Sequence, residues 1–246
     1  MENPRIVMVT GASGGIGRAL AGRLHAAGHT VVAVGRDAQR LADVAAGLRV
    51  VADTTQAAQA QQAMRECVQA VGVPTALAHL VGNTLIAPVH RTRPEQWEEV
   101  LRVNLGSALA VLSAWTATLR EAGQAGAAVL VSSVVARVGA ANHEAIAAAK
   151  GGVEALVRSA AATYAASGLR VNAVAPGLTD TPMTAGLLKL PAQREAAGRQ
   201  YPLGGVQNAD EVAAAIEWLL SDAASRVTGQ VLPVDGGFTS VRPLVK

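Results

Sequence analysis

A glycine-rich turn is the first feature of this sequence that could take part in chemistry. The apolar segment RIVMVT is followed by TGASGGIG, which places Gly11, Gly15 and Gly17 where a strand would pass into a helix. Glycine permits a tight turn and a close approach of the backbone to a pyrophosphate, and the helix N-terminus offers N–H groups and a favourable dipole. The pattern predicts a dinucleotide site, with an ordinary tight turn as the alternative.

The end of the next apolar segment, TVVAVG, indicates which dinucleotide would bind. The adenosine ribose is expected there, but Gly35 lacks the carboxylate that would accept a hydrogen bond from a ribose 2′-OH. The guanidinium of Arg36 suits a 2′-phosphate instead. NADP(H) is therefore favoured over NAD(H), with a solvated loop arginine as the alternative. Asp53 and Thr54, after a third apolar segment, either meet the adenine or form a loop turn and a helix cap.

Lys150 ends the alanine-rich stretch HEAIAAAK and is either a solvated surface charge or part of a site. His143, Ile146 and Lys150 have i, i+3, i+7 spacing, which puts them on one face of a helix. An imidazole with its ordinary pKa of about 6.5 exchanges protons at neutral pH, so His143 is a candidate acid or base. In the structural alternative, Asn142 is the N-cap, and His143 and Glu144 occupy the first turn.

Strand-like and helical segments alternate from end to end of the chain. Most strand-like segments are continuously apolar, which is typical of strands covered on both faces in a parallel sheet. The predicted strands are 5–10, 30–35, 48–53, 75–82, 127–133, 169–176 and 230–235, and the predicted helices are 17–28, 55–72, 94–123, 142–168 and 209–222. The alternation implies βαβ units in a doubly wound α/β fold, formed by one domain over residues 1–246.

The composition narrows the class of protein. Hydrophobic residues make up 50% of the chain, enough for a large core, whereas aromatic residues make up 2%, which argues against base stacking and a nucleic-acid partner. The net charge of +3 comes from scattered residues and bears on solubility more than on partners. The single cysteine, Cys67, excludes a cysteine-rich metal site and fits the cytoplasm. Neither export nor membrane insertion is indicated.

Six motifs in order make the chain resemble the short-chain dehydrogenase/reductase family over nearly its whole length. They are TGASGGIG, RVNLGSAL with Asn104, VLVSSVV with Ser133, Lys150, VNAVAPGLTDTPM with Pro176, Gly177 and Thr181, and VTGQVLPVDGG. The resemblance implies a Rossmann-like, seven-stranded parallel sheet with helices on both faces, and a nicotinamide cofactor. It also implies a homo-oligomer, a tetramer or dimer, that associates through 94–123 and 142–168.

The resemblance further implies a site formed by Asn104, Ser133, a tyrosine and Lys150. In this family the tyrosine passes a proton to or from the substrate while hydride moves at the nicotinamide. The serine polarises the substrate oxygen, the lysine holds the cofactor ribose, and the asparagine supports a water-linked proton path. The tyrosine belongs four residues before the lysine, where this chain has Ile146.

No other tyrosine in the sequence takes that place. Tyr164 lies eighteen residues after Ile146 on the same predicted helix, about 27 Å away, and Tyr201 is expected to pack at the surface or in the core. Ile146 is expected to form part of the pocket wall. A second departure from the family is HLVG in place of NNAG, which keeps only Gly82 and puts His79, a weaker acid–base candidate, near the cofactor.

The sequence therefore predicts an NADP(H)-dependent oxidoreductase with a tyrosine-independent proton route. Its substrate would be a small or medium carbonyl, alcohol or activated double bond. A positioned general acid contributes about 10²–10⁴-fold to the rate, or about 3–5 kcal/mol of the activation barrier. Orientation of cofactor and substrate can contribute roughly 7–11 kcal/mol, so loss of the tyrosine weakens hydride transfer without abolishing it. The alternatives are a non-catalytic NADP(H)-binding protein, a sensor or structural subunit, and a non-redox reaction on the same scaffold.

These inferences fix the candidate residues. The candidate catalytic residues are Asn104, Ser133, His143 and Lys150. The candidate cofactor-binding residues are Gly11, Ser13, Gly15, Ile16, Gly17, Arg36, Asp53, Thr54, Gly82, Lys150, Pro176, Gly177 and Thr181. Substrate contacts are expected in a segment at about 183–208, and no metal site is predicted.

Overall fold

The continuously apolar segments form one parallel sheet. The computed structural model describes residues 4–242, so residues 1–3 and 243–246 of the predicted domain lie outside the described residues. The strands are β1 (Ile6–Thr10), β2 (Thr30–Gly35), β3 (Leu48–Val51), β4 (Ala76–His79), β5 (Gly126–Val131), β6 (Leu169–Pro176), β7 (Thr179–Asp180), β8 (Gln207–Asn208) and β9 (Val231–Val234). Seven of them pair in the order β3-β2-β1-β4-β5-β6-β9, and β7 and β8 form a separate pair. The predicted Rossmann-like, seven-stranded parallel sheet is confirmed.

Helices cover both faces of this sheet, as predicted. They are α1 (Gly15–Ala26), α2 (Ala38–Ala42), α3 (Ala57–Val71), α4 (Pro94–Leu101), α5 (Ser107–Ala122), α6 (Glu144–Tyr164), α7 (Pro191–Gly198) and α8 (Ala209–Leu220). One core, which includes Trp115, lies under α3, α5 and α6, and a second, which includes Ile216, lies under α1, α2 and α8. In β1, Met8 enters the first core and Val7 and Val9 enter the second, so the strand is apolar throughout.

Several helix boundaries differ from the prediction for local reasons. The predicted helix 94–123 is two α-helices joined by a five-residue π-helix, Arg102–Gly106, which apolar periodicity does not reveal. The predicted N-cap Asn142 is wrong, because α6 begins at Glu144 and its N-cap residue is His143. Asn142 instead has a φ of 65°, a left-handed conformation that asparagine tolerates. α2 and α7 are too short to show a periodic pattern.

Within residues 4–242, one helical stretch, Pro94–Ala122, is long and apolar enough to cross a membrane by length and composition alone. More than half of its apolar window, 56%, is buried inside the fold. α5, which forms most of this stretch, packs against α3 and places Trp115 in the core. This burial is the arrangement of a core helix.

Candidate active site

A cleft of about 950 Å³ opens at the carboxyl ends of the central strands. Strand order reverses between β1 and β4, and loops that leave the sheet in opposite directions there leave a crevice. Ten of the thirteen predicted cofactor residues line it: Gly11, Ser13, Gly15, Ile16, Gly17, Arg36, Asp53, Thr54, Gly82 and Thr181. Residues that the sequence reasoning missed also line it, including Asp37, Arg40, Asn83, Val131 and Met183.

The glycine turn can hold a phosphate because side chains are excluded from it. Gly11 has a φ of 72°, which favours glycine. A Cβ on Gly17 would lie 2.3 Å from the carbonyl oxygen of Gly11, and one on Gly15 would lie 2.8 Å from Cγ2 of Thr181. Gly14, the N-cap of α1, has no side chain to occupy the helix N–H groups. These groups therefore face the cleft as an anion-binding end of a helix.

Two arginines stand at the adenosine end of the cleft. Arg36 is exposed, follows β2 directly and lines the cleft. Arg40, on α2, lines it as well, and no sequence pattern marked it because α2 is too short to show one. The Asp37 carboxylate accepts hydrogen bonds from the backbone N–H groups of Gln39 and Arg40 at 2.9 and 3.2 Å, so it caps α2. Two guanidinium groups therefore line this end of the cleft, together with the carboxylates of Asp37 and Asp53.

Asp53 and Thr54 line the cleft and also form the predicted loop turn. The Asp53 carboxylate accepts hydrogen bonds from the Thr55 backbone N–H at 3.1 Å and its hydroxyl at 2.8 Å. Partial burial opposes ionisation, but these bonds and the charges of Arg36 and Arg102 outweigh it and lower the pKa of Asp53. The predicted loop turn is therefore present, the predicted helix cap is wrong because the N-cap of α3 is Gln56, and contact with an adenine stays a prediction.

Lys150 is buried in α6, with 6% of its surface exposed. Its Nζ donates a hydrogen bond to the carbonyl oxygen of Val131, the last residue of β5, at 2.8 Å. Burial lowers the pKa of Lys150 to about 8. The lysine is therefore not the solvated surface charge that its alanine-rich surroundings allowed.

Asn104 lies in the π-helix and faces the same point as Lys150. Its Nδ2 donates to the Val100 carbonyl at 2.9 Å and to Oδ1 of Asn83 at 2.7 Å, whereas its own Oδ1 is buried and, among residues 4–242, has no hydrogen-bond partner. A Cβ on Gly82 would lie 2.8 Å from that Oδ1 and 3.5 Å from Nζ of Lys150. A free acceptor and an ammonium group thus converge on one point, the notch at Gly82; Gly82 lines the cleft, whereas Lys150 and Asn104 are buried and do not line it.

Ser133 and Ile146 both precede Lys150 along the chain. Ser133 follows β5 two residues after Val131, and its Oγ accepts a 3.4 Å hydrogen bond from the Val135 N–H. Ile146 is 5% exposed and packs in a small apolar cluster with Val100 and Ala149. Ile146 therefore packs against α4, and its place in the pocket wall stays a prediction.

His143 lies at the N-terminal end of α6, just outside the helix. As the N-cap residue it precedes the first turn, which differs from the helical position that the spacing predicted. Its Nδ1–H donates to the carbonyl oxygen of Ala141 at 2.7 Å, which leaves Nε2 as the basic atom of the neutral ring.

His79 is buried at the end of β4 between two hydroxyl groups. Its Nδ1 lies 2.7 Å from Oγ1 of Thr10, and its Nε2 lies 2.9 Å from Oγ of Ser107. Ser107 donates its proton to the Val103 carbonyl at 2.5 Å, so Nε2 must carry the ring proton and Thr10 must donate to Nδ1. Burial, together with the charge of Lys150, lowers the pKa of His79 to about 3, which keeps the ring neutral and unsuited to donate a proton at neutral pH.

The remaining predicted residues lie beside the cleft. Pro176 ends β6, and a Cβ on Gly177 would lie 2.8 Å from Cε1 of Tyr201. The Tyr201 hydroxyl accepts a 2.7 Å hydrogen bond from the Leu178 N–H, and burial raises its pKa. Tyr201 therefore packs against the turn after β6, and Tyr164 ends α6.

No group of three or more histidine, cysteine, aspartate or glutamate side chains in the described part of the chain is arranged to hold a metal ion. Cys67 is buried, and burial raises its pKa to about 12.

Comparisons with known proteins agree with this geometry. A family model described as "Enoyl-(Acyl carrier protein) reductase" matches residues 11–239. Cis-4-hydroxycyclohexanecarboxylate dehydrogenase of Sinomonas cyclohexanicum is 43% identical over 96% of this chain and 97% of that protein. 3beta-hydroxysteroid dehydrogenase 1 of Eggerthella lenta is 35% identical over 96% of this chain and 94% of that protein.

A solved structure of a short-chain type dehydrogenase/reductase from Mycobacterium ulcerans superposes with a TM-score of 0.90 at 30% identity, over 96% of this chain and 90% of that one. The matched lengths include the glycine turn, Lys150 and the segment after β6. The chain belongs to the short-chain dehydrogenase/reductase family, whose members are oxidoreductases that use a nicotinamide cofactor.

Proposed function

We propose that this protein is an NADP(H)-dependent oxidoreductase that interconverts a secondary alcohol on a six-membered ring with the corresponding ketone. The names of two relatives support this substrate class, since a hydroxycyclohexanecarboxylate and a 3β-hydroxysteroid each carry such an alcohol. At 43% identity over nearly both full lengths, the cyclohexane compound is the nearer guide to size. The proton reaches or leaves the substrate oxygen without a tyrosine.

The observation that carries the proposal is the meeting of Lys150 and Asn104 at Gly82, beside the glycine turn. The free Asn104 oxygen and the Lys150 ammonium offer an acceptor and a donor at one notch, as a ribose with two hydroxyl groups requires. When bound, the nicotinamide would supply the hydride acceptor or donor. The residues of the chain would bind and orient the cofactor, polarise the substrate oxygen, and donate a proton to that oxygen or accept one from it.

The two arginines at the adenosine end of the cleft support NADP(H) as the cofactor. Gly35 provides no carboxylate to a ribose hydroxyl, and Asp37 is engaged in capping α2. Arg36 and Arg40 both line the cleft there, so a 2′-phosphate would meet two guanidinium groups in place of one. This arrangement would penalise NAD(H) by leaving both cations without the phosphate.

Lys150 is the proposed proton donor, assisted by Ser133. Ile146 has no exchangeable proton and His79 is held neutral, whereas the Lys150 pKa of about 8 lets it gain and lose a proton near neutrality. The Ser133 hydroxyl, at the open end of β5, would polarise the substrate oxygen. His143 is the second candidate, through its free Nε2. An activated C=C or C=N substrate would need still less proton help.

The protein would act in the cytoplasm on a small molecule, as a homo-oligomer. The exposed Trp97 and Leu109, which lie within 94–123, support association through that stretch and 142–168. A non-catalytic NADP(H)-binding protein, a sensor or subunit, is the alternative function. The relatives are named as dehydrogenases, which does not favour it.

Turnover with ring alcohols tests the proposal. Purified protein is mixed with NADP⁺ and cis- or trans-4-hydroxycyclohexanecarboxylate, cyclohexanol or a 3β-hydroxysteroid, and NADPH absorbance is followed. We expect NADPH to form with at least one ring alcohol, and Lys150→Met to lose about 10²-fold or more of that rate. If NADPH binds but neither forms nor is consumed with any alcohol, ketone, enone or imine, the protein is a non-catalytic binder.

A further inference from the structure

Glu154 is a buried carboxylate that the proposed chemistry does not use. It lies on α6 four residues after Lys150, with 6% of its surface exposed. A buried carboxylate loses its hydration, which lowers the stability of the fold. Replacing a buried ion pair by apolar side chains of similar size often leaves the stability unchanged or raises it, so stability alone does not explain a buried glutamate. Its contacts therefore indicate what it does there.

Both partners of Glu154 come from the segment around Ser133. The hydroxyl of Ser132 donates to Oε1 of Glu154 at 2.9 Å, and the Lys150 carbonyl, at 3.5 Å, is too distant to compete. Nε of Arg137 lies 3.2 Å from Oε2 and 3.3 Å from Oε1 of the same carboxylate. One carboxylate on α6 thus holds the residue before Ser133 and the residue four positions after it.

The same helix also holds β5 through Lys150. Nζ of Lys150 donates to the carbonyl of Val131, and the backbone N–H of Ser132 donates to the Val174 carbonyl in β6 at 2.8 Å. Ser133 therefore lies between anchored neighbours, although its own side chain has only the long 3.4 Å bond from Val135. The position of the Ser133 hydroxyl relative to Lys150 is set by its neighbours.

We propose that Glu154 is a positioning residue that holds Ser133 and the following loop, 134–143, in register with Lys150. The claim about position stands on the contacts alone, and the claim about turnover rests on the proposed function. Without a tyrosine, only Ser133 and Lys150 are proposed to polarise and protonate the substrate oxygen. The rate therefore depends more strongly on the relative position of these two side chains. A carboxylate clamp on both sides of Ser133 fixes that register.

The test uses the full-length protein and four substitutions. Glu154→Gln removes the charge, Arg137→Gln removes one arm, and Arg137→Lys restores a cation at the half-exposed end of the pair, where it can be accommodated. The matched control is Glu217→Gln, which breaks another interhelical carboxylate–arginine pair, with Arg23 at 2.7 Å, between α8 and α1.

Hydrogen–deuterium exchange of peptides covering 133–143 is measured first. We expect Glu154→Gln and Arg137→Gln each to speed exchange there about tenfold or more, with residues 11–17 unchanged and Glu217→Gln without effect on 133–143. Arg137→Lys should stay within about threefold of the parent. Unchanged exchange in Arg137→Gln, whose side chain is partly exposed and whose loss the fold tolerates, overturns the proposal even if Glu154→Gln fails to fold.

Kinetics then separate positioning from general loosening. We expect Glu154→Gln and Arg137→Gln to lower kcat about tenfold while the KM for NADPH changes less than twofold, with the double variant no worse than either single one. An equal loss of kcat in Glu217→Gln would overturn the positioning role. If the parent shows no turnover but hydrogen–deuterium exchange of 133–143 changes in the variants as expected, the proposed function is contradicted and the positioning role of Glu154 is supported.

Discussion

Lys150 joins a buried position to a pKa close to neutrality. Because burial lowers its pKa to about 8, the ammonium predominates below that pH and the amine above it. Ketone reduction by a Lys150 acid should therefore be independent of pH well below about 8 and fall up to tenfold per pH unit above it. Alcohol oxidation, which needs the amine, should rise over the same range.

The pH dependence of kcat/KM in both directions checks this assignment. Lys150→Arg keeps a cation that does not titrate in this range, so the break near pH 8 should disappear. A break in the pH profile that survives Lys150→Arg and disappears in His143→Gln would instead give the proton to the imidazole of His143.

Ile146 stands where the family resemblance places the tyrosine, so Ile146→Tyr should bring a phenol close to Lys150. We expect kcat for ketone reduction to rise at least about tenfold, since a positioned general acid contributes about 10²–10⁴-fold. The larger ring must displace the cluster of Val100 and Ala149, at a cost of about 1–3 kcal/mol in the free energy of unfolding.

Ile146→Phe is the matched control, because it adds the ring without the hydroxyl group. Steady-state kinetics and urea unfolding of both variants separate the two effects. If Ile146→Tyr is no faster than Ile146→Phe, then Ile146 does not occupy the proton-donor position.

Individual site residues could be predicted from the sequence where they belong to a recognisable motif. The motif spacing placed Asn104, Lys150 and Gly82 together, and the structure brings them to one notch. Motifs carried no information about Glu154, because its partners, Ser132 and Arg137, are identified only by tertiary contacts. The capping role expected of Asn142 was wrong, since the backbone turns left-handed there before α6 begins.

At the scale of elements, His79 links the end of β1 to the start of α5. It bridges Thr10, which begins the glycine turn, and Ser107, which follows the π-helix that carries Asn104. His79→Ala would leave the buried Thr10 hydroxyl without its ring partner, remove one of the two hydrogen bonds of Ser107 and open a cavity, so it should lower the free energy of unfolding by about 2–4 kcal/mol.

The stability contributed by neutral His79 should also depend on pH. Its folded pKa, about 3, is below the ordinary value of 6.5, so the contribution is complete above that value and declines as pH falls toward the folded pKa. Lowering the pH from about 7 to about 5 should reduce the free energy of unfolding of the parent by about 2 kcal/mol more than that of His79→Asn, as measured by urea unfolding at each pH. Equal losses in both proteins would mean that the folded His79 pKa is not lowered.

The glycine turn offers a second test at this scale. Gly17→Ala places a methyl group 2.3 Å from the Gly11 oxygen, so the turn must open and NADPH affinity should fall more than about tenfold. Gly22→Ala is the control on the same helix, because its methyl group meets no atom within 4 Å and alanine favours the helix. NADPH binding that Gly17→Ala leaves intact would exclude this turn as the phosphate site.

At the scale of the whole molecule, the sequence was sufficient for the sheet because continuous apolar strands and glycine-ended helices alternate without interruption. It was insufficient where length and periodicity fail, as in the five residues of α2 and the π-helix between α4 and α5. The substrate segment was equally hard to predict, since α7 and the β7–β8 pair are short and the ring contact of Tyr201 with Phe238 joins residues far apart in the sequence.

Fluorescence titration of the purified protein with NADPH and NADH decides most directly whether the cleft is an NADP(H) site. We expect NADPH to bind at least about tenfold more tightly than NADH, and Arg36→Gln to remove most of that difference while NADH affinity stays within about twofold. Equal affinities in the parent would contradict the role of Arg36. Failure to bind either nucleotide would contradict the cofactor site itself, including the part assigned to Lys150.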